Sequence, residues 1–216
     1  MNPLFVNLEE VAPYLLFDLK YAQSDNFLGR PAHGYEHARC LITSAAADGI
    51  VQANNALRPL NLCLKVFDAY RPQHTVDDFV RWAKSPGHDQ SKHHYFPDVL
   101  KADLIAQGYI AAKSSHSRGS SIDLTLCVRS DATDALVAGV RLPVGEIDMG
   151  TCFDYFGPES HTDSRRVSVQ AQANRRLLQK IMNAAGFEGI QEEWWHFTLR
   201  DEPFPSTYFD FPLSAS

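Results

Sequence analysis

The chain has 216 residues, 44% hydrophobic and 21% charged, which suits one globular core and is short for two. Its formal net charge of -6 lacks the basic excess of a nucleic-acid binder and the polybasic patch of a membrane-surface protein. The first basic residue is Lys20, and no window reaches the roughly 18–20 apolar residues of a membrane span. With four cysteines and no C-x-x-C spacing, these features predict reduced thiols and a cytoplasmic protein.

In chain order, YLLFDLK (Tyr14 to Lys20) reads as a short strand, and 24–37 reads as a loop broken by Gly29, Pro31 and Gly34. TSAAADGIVQANNAL predicts a helix capped by Thr43 or Ser44 and closed by Arg58-Pro59. In LCLKVFDAY (Leu62 to Tyr70), Leu62, Leu64 and Val66 alternate with Cys63 and Lys65, as in a half-buried strand. HTVDDFVRWAK predicts a helix ended by Ser85-Pro86-Gly87, and DVLKADLIAQG predicts a shorter one stopped by Gly108. IDLTL is a strand. VSVQAQANRRLLQKIMNAAG is the clearest helix, with Leu177, Leu178, Ile181, Met182 and Ala185 on one stripe and Gly186 as its stop. WWHFTL closes the set as a strand. Strands and helices do not alternate strictly, so the expected class is α+β, in a single domain over 1–216.

Two stretches carry chemistry. In SSHSRGSSIDLTL (Ser114 to Leu126), Ile122, Leu124 and Leu126 face one way, leaving Asp123 and Thr125 on the other side. His116 lies before that strand, across a turn that Gly119 permits. Alone, such a pair is more often a loop histidine and a surface acid. In EWWHFTL, Trp195, Phe197 and Leu199 share one face, and His196 and Thr198 share the other. A flat strand would turn Glu193 away from His196, so a shared site requires a bend just before the strand; otherwise His196 is a structural histidine. Taken together, two imidazoles and a carboxylate fill three positions around Zn2+ and leave the fourth open, as in catalytic rather than structural zinc sites. Glu193 is then the candidate general base. Arg71, in FDAYRP (Phe67 to Pro72), is the candidate cation for a tetrahedral oxyanion, with an exposed arginine before a turn proline as the other reading. A serine hydrolase built on Ser114 or Ser120 lacks a G-x-S-x-G elbow.

The pattern SxHxxGxxxD (Ser114, His116, Gly119, Asp123) followed by ExWH (Glu193, Trp195, His196) resembles the zinc D,D-peptidases with a hedgehog-like fold. With DLKYAQSDNFLG, GYE, DAYRP, DMGTCFD and EWWHF, from Asp18 to Phe197, the chain is similar to D-alanyl-D-alanine dipeptidases of the vancomycin-resistance type. The resemblance implies one zinc per chain on His116, Asp123 and His196, with Glu193 as base and Arg71 as transition-state cation. It also implies a mainly antiparallel central sheet flanked by helices and lining a small closed cavity, with Tyr21, Tyr35, Ser114 and Asp154 on its walls. The implied partner is a small dipeptide with a free ammonium group, and no oligomeric state follows. Ser121 stands where the family commonly has alanine, and Cys152 interrupts a GTPFD-like block. A D,D-carboxypeptidase acting on larger muropeptides is the alternative enzyme. A non-catalytic hedgehog-like zinc protein is the alternative outside enzymes, though such a site needs neither Glu193 nor Arg71.

Overall fold

The computed structural model describes residues 4–36, 39–87 and 90–213; the last residue of the loop expected at 24–37 falls outside them. Ten strands are described: β1 Phe5–Asn7, β2 Leu16–Phe17, β3 Leu41–Thr43, β4 Leu62–Asp68, β5 Ser121–Val128, β6 Asp134–Val137, β7 Val140–Pro143, β8 Gly145–Glu146, β9 Phe187–Gly189 and β10 His196–Leu199. Five helices accompany them: α1 Leu8–Val11, α2 Ser44–Leu57, α3 Gln73–Lys84, α4 Lys92–Tyr95 and α5 Val169–Ala184. The main sheet runs β2-β4-β5-β10-β9, with β8 also beside β5. Within it β2 and β4 are parallel and the other pairs antiparallel, so the fold is α+β with a mainly antiparallel sheet.

The centre of the sheet is buried on both faces. All eight residues of β5 are buried, and in β4 only Lys65 is partly exposed, so β4 is not the half-buried strand that its alternation predicts. One face carries Leu64, Val66, Ile122, Leu124 and Leu126 into the core beneath α2 and α5. The approach there is close. A Cβ on Gly49 of α2 would lie 2.8 Å from the Ala185 carbonyl and from the Phe187 ring, so a larger residue would force the helix away. The other face carries Asp123 and meets an aromatic layer in which Phe67 stacks on Phe153 at 4.8 Å.

Three local expectations change. Thr43 sits at the N-cap of α2 without a capping bond, because its hydroxyl pairs with the Ser120 hydroxyl at 2.8 Å. The helix expected from DVLKADLIAQG is one 3-10 turn, Lys101–Asp103, followed by turns. That stretch is too short to propagate a helix cheaply. Burying Leu104 and Ile110 and stacking Tyr109 on Phe156 decide its path instead. The last strand starts at His196, since Trp194 and Trp195 form a turn before it.

Candidate active site

Asp123 and His196 are direct partners across β5 and β10. Opposite residues on antiparallel strands project to the same face, so the register alone brings a carboxylate and an imidazole together. His116 arrives from the 3-10 turn Ser115–Arg118, which Ser114 caps by accepting the His116 N–H at 3.3 Å. Gly119 then reverses the chain into β5 at φ 83°, and a Cβ there would lie 2.3 Å from the Phe5 ring. Both the left-handed backbone and the close approach require glycine.

The three side chains are buried, and one ligating atom from each lies within 4.8 Å of the others. His116 Nε2 is 3.0 Å from His196 Nδ1 and 3.2 Å from Asp123 Oδ1, and His196 Nδ1 is 3.0 Å from the same oxygen. The outer nitrogens are also held. His116 Nδ1 donates to the Ala69 carbonyl at 2.6 Å, which directs the Nε2 lone pair inward. His196 Nε2 meets the Ser115 hydroxyl at 3.1 Å and the Thr198 hydroxyl at 3.3 Å, which leaves Nδ1 facing inward. Three electron-rich atoms at such spacing need a shared proton or a cation between them, and this donor set fits a divalent metal. Burial alone would raise Asp123, but His116 and His196 beside it hold its carboxyl well below the usual range. Burial lowers His196, but the hydrogen bond and charge of Asp123 and the charge of Glu193 together raise it above its ordinary value.

Glu193 stands on the required bend. The Trp194-Trp195 turn aims it at the cluster, with Oε2 4.0 Å from His196 Nδ1. Burial raises its carboxyl to about 7, against the lowering effect of His196. Arg71 follows β4. Its Nε and Nη2 donate to Asp68 at 2.9 and 2.8 Å, and its guanidinium lies over the rings of Tyr21 and Phe79. Nη2 is also 3.6 Å from Asp123 Oδ2, so the cation borders the cluster.

A cavity of about 230 Å³ opens over these groups, and Tyr21, Arg71, Ser114, His116, Asp123, Asp154, Glu193 and His196 all line it. Asp154 holds φ 60°, and its Oδ2 accepts the Tyr21 hydroxyl at 2.8 Å. Burial, then the charge of Asp123, pushes the Asp154 carboxyl well above its ordinary value. Tyr35 requires a correction. It is not among the lining residues but stands one layer behind, donating its hydroxyl to Asp68 Oδ1 at 2.6 Å. Ser121 bonds the Thr198 hydroxyl at 2.7 Å, and Cys152 is also absent from the cavity lining. Sequence reasoning passed over Asp68 and Ser115. Asp68 sits three residues before Arg71, and Ser115 adjoins His116, so both were within the blocks already singled out.

An open set of two imidazoles and one carboxylate, with a further carboxyl pressed against it and an arginine at its border, is the arrangement of a hydrolytic metal centre. Comparison with known proteins agrees. The profile of the peptidase M15 family, described as D-ala-D-ala dipeptidase, matches residues 1–214. The chain belongs to this family and is a metallopeptidase. It is 41% identical over 211 residues to the D-alanyl-D-alanine dipeptidase of Enterococcus faecalis (strain ATCC 700802 / V583), covering 97% of this chain and 98% of that protein. It is 40% identical over 210 residues to the protein of that name from Enterococcus faecium, with the same shares. Against the one from Streptomyces coelicolor it is 39% identical over 211 residues, again 97% and 98%.

Proposed function

We propose that this chain hydrolyses free D-Ala-D-Ala to two D-alanines, with one zinc ion held by His116, Asp123 and His196. The observation that carries the reading is the single cavity that gathers this cluster, Glu193 and the Asp154–Tyr21 pair. Its volume of about 230 Å³ is below the ~300–1,000 Å³ of pockets for drug-sized ligands, which favours a small substrate. The names of the relatives point to the same dipeptide.

When bound, zinc supplies Lewis-acid charge and acidifies water. Glu193 removes a proton from the attacking water and returns it to the leaving amine nitrogen. A carboxyl raised to about 7 suits both halves of that transfer at neutral pH. Arg71, fixed by Asp68, meets the negative charge that develops on the carbonyl oxygen. Asp154, with Tyr21 behind it, receives the substrate ammonium, and Ser114 adds a polar contact on the wall. We place the reaction in the cytoplasm. The four cysteines are free thiols, which suits a reducing compartment. Among the described residues no helix is long and apolar enough to cross a membrane.

The test measures D-alanine release from D-Ala-D-Ala, from its N-acetylated form and from a pentapeptide ending in D-Ala-D-Ala, at equal concentration. The expected result is rapid release from the first and negligible release from the others. Comparable rates on the pentapeptide would replace this reading with a D,D-carboxypeptidase.

A further inference from the structure

Arg175, on α5, carries a charge outside the lining of the cavity. Its side chain is buried at 1% exposure, its guanidinium bonds only neutral carbonyls, and the charge of Asp148 offsets only part of that burial. Nε donates to the Met149 carbonyl at 2.7 Å, and Nη1 donates to the Glu159 and His161 carbonyls at 2.9 and 2.8 Å. Nη2 has no partner among the described residues. Burying a cation on neutral carbonyls is costly, so what it holds is informative. The three carbonyls belong to the two ends of one segment, 149–161, and Asp154 projects from its middle with left-handed backbone.

The same segment grips the chain that carries Glu193. The Trp194 indole N–H donates to the Thr151 hydroxyl at 2.9 Å, and the Trp194 backbone N–H donates to the Ser160 carbonyl at 3.1 Å. Thr162 continues the clamp by donating its backbone N–H to Gln191 and its hydroxyl to Ile190, each at 2.8 Å. The Arg175 guanidinium also lies 5.8 Å from the centre of the Trp194 ring. Helix α5 packs on the sheet, so Arg175 is a fixed post for two loop connections that meet at the cavity.

We infer that Arg175 is a positioning residue for hydrolysis: by holding the two ends of 149–161 it aims Asp154 directly, and Glu193 through Trp194, into one cavity. The inference rests on the roles proposed above for those two acids. The metal cluster lies outside the clamp, on β5, β10 and the Ser115–Arg118 turn. Loss of Arg175 therefore separates activity from metal binding.

The test compares Arg175→Met, Arg175→Lys and Thr151→Val with wild type for metal content, thermal midpoint, kcat and KM. Kinetics are read on whichever dipeptide the wild type cleaves, so an error in the substrate reading leaves this test intact. Arg175→Met is expected to keep wild-type metal content while KM rises, kcat falls and kcat/KM drops by about 10²-fold, the scale of an ångström-sized misplacement. Arg175→Lys should recover part of this, since an ammonium reaches the carbonyls without the planar fork. Thr151→Val leaves Arg175 in place and loosens Trp194, so it should lower kcat more than it raises KM. Wild-type kinetics in Arg175→Met would overturn the inference, as would activity lost only in proportion to metal or folded fraction. If Arg175→Met does not fold, wild-type kinetics in both other variants would overturn it.

Discussion

Replacing Asp154 with asparagine removes one charge and leaves the shape of the cavity intact. Tyr21 still finds an acceptor, because the amide oxygen takes the place of Oδ2. The substrate ammonium loses its ionic partner. A hydrogen bond to a charged group contributes ~1.5–3 kcal/mol, and at ~1.4 kcal/mol per decade this is about 10–150-fold in binding. Burial and the charge of Asp123 hold Asp154 toward its neutral form, so part of that energy goes into ionising it. The expected rise in KM is therefore in the lower part of the range, roughly 10–40-fold, with kcat changed less. The pH profile gives a second reading. In wild type KM should fall as pH rises through the elevated Asp154 pKa, because the ionised carboxylate binds the ammonium. KM should climb again as the substrate amine loses its proton above ~8. Asp154→Asn should lose the acidic limb and keep the alkaline one. An unchanged KM in the variant, or an acidic limb that persists, would refute the role given to Asp154.

Glu193→Gln should retain its metal, measured by atomic absorption, and lose about 10²–10⁴-fold in kcat, the contribution of a general acid–base group; loss of metal would make Glu193 a ligand. His196→Ala should lose metal and activity together, and full occupancy in that variant would contradict the ligand set. Arg71→Ala should lower kcat and kcat/KM by similar factors. Because it strands Asp68 in the interior, it should also cost about 3–5 kcal/mol of stability, read as a lower denaturation midpoint. Arg71→Lys should restore only part of the rate, and a raised KM with intact kcat would make Arg71 a substrate anchor.

The clustering of Asp123 and His196 was legible because strand alternation is a strict rule. Placing Ile122, Leu124 and Leu126 in the core sends Asp123 to the other face, and placing Phe197 in the core does the same for His196. The bend before His196 was legible as a requirement, since Glu193 fails to reach the cluster without it. Cavity walls made from loops were harder to place. Tyr35 falls in a family-like block, yet it buttresses Asp68 from behind, and no periodicity reports depth in a loop. The 98–108 stretch has helix-forming residues, but tertiary packing of Leu104, Tyr109 and Ile110 overrides local propensity. Arg175 lies three residues before Leu178, on the same buried face as Ala171, Asn174 and Met182. The spacing signal was present, and the residue type argued against using it.

The pairing of Asp123 with His196 has a consequence for how such a protein can change. These neighbours in space are 73 residues apart along the chain. The intervening stretch holds Asp154 and most of the connections around it, while a sheet register fixes both ends. Length and composition can vary in the loops of that stretch without shifting Asp123 or His196, provided β5 and β10 stay in step. The facing of Asp123 and His196 is thus set by sheet register, apart from the loop that carries Asp154. A graft that exchanges 149–161 must carry its partners on α5 and at Trp194 with it, because the same segment holds the turn beside Glu193.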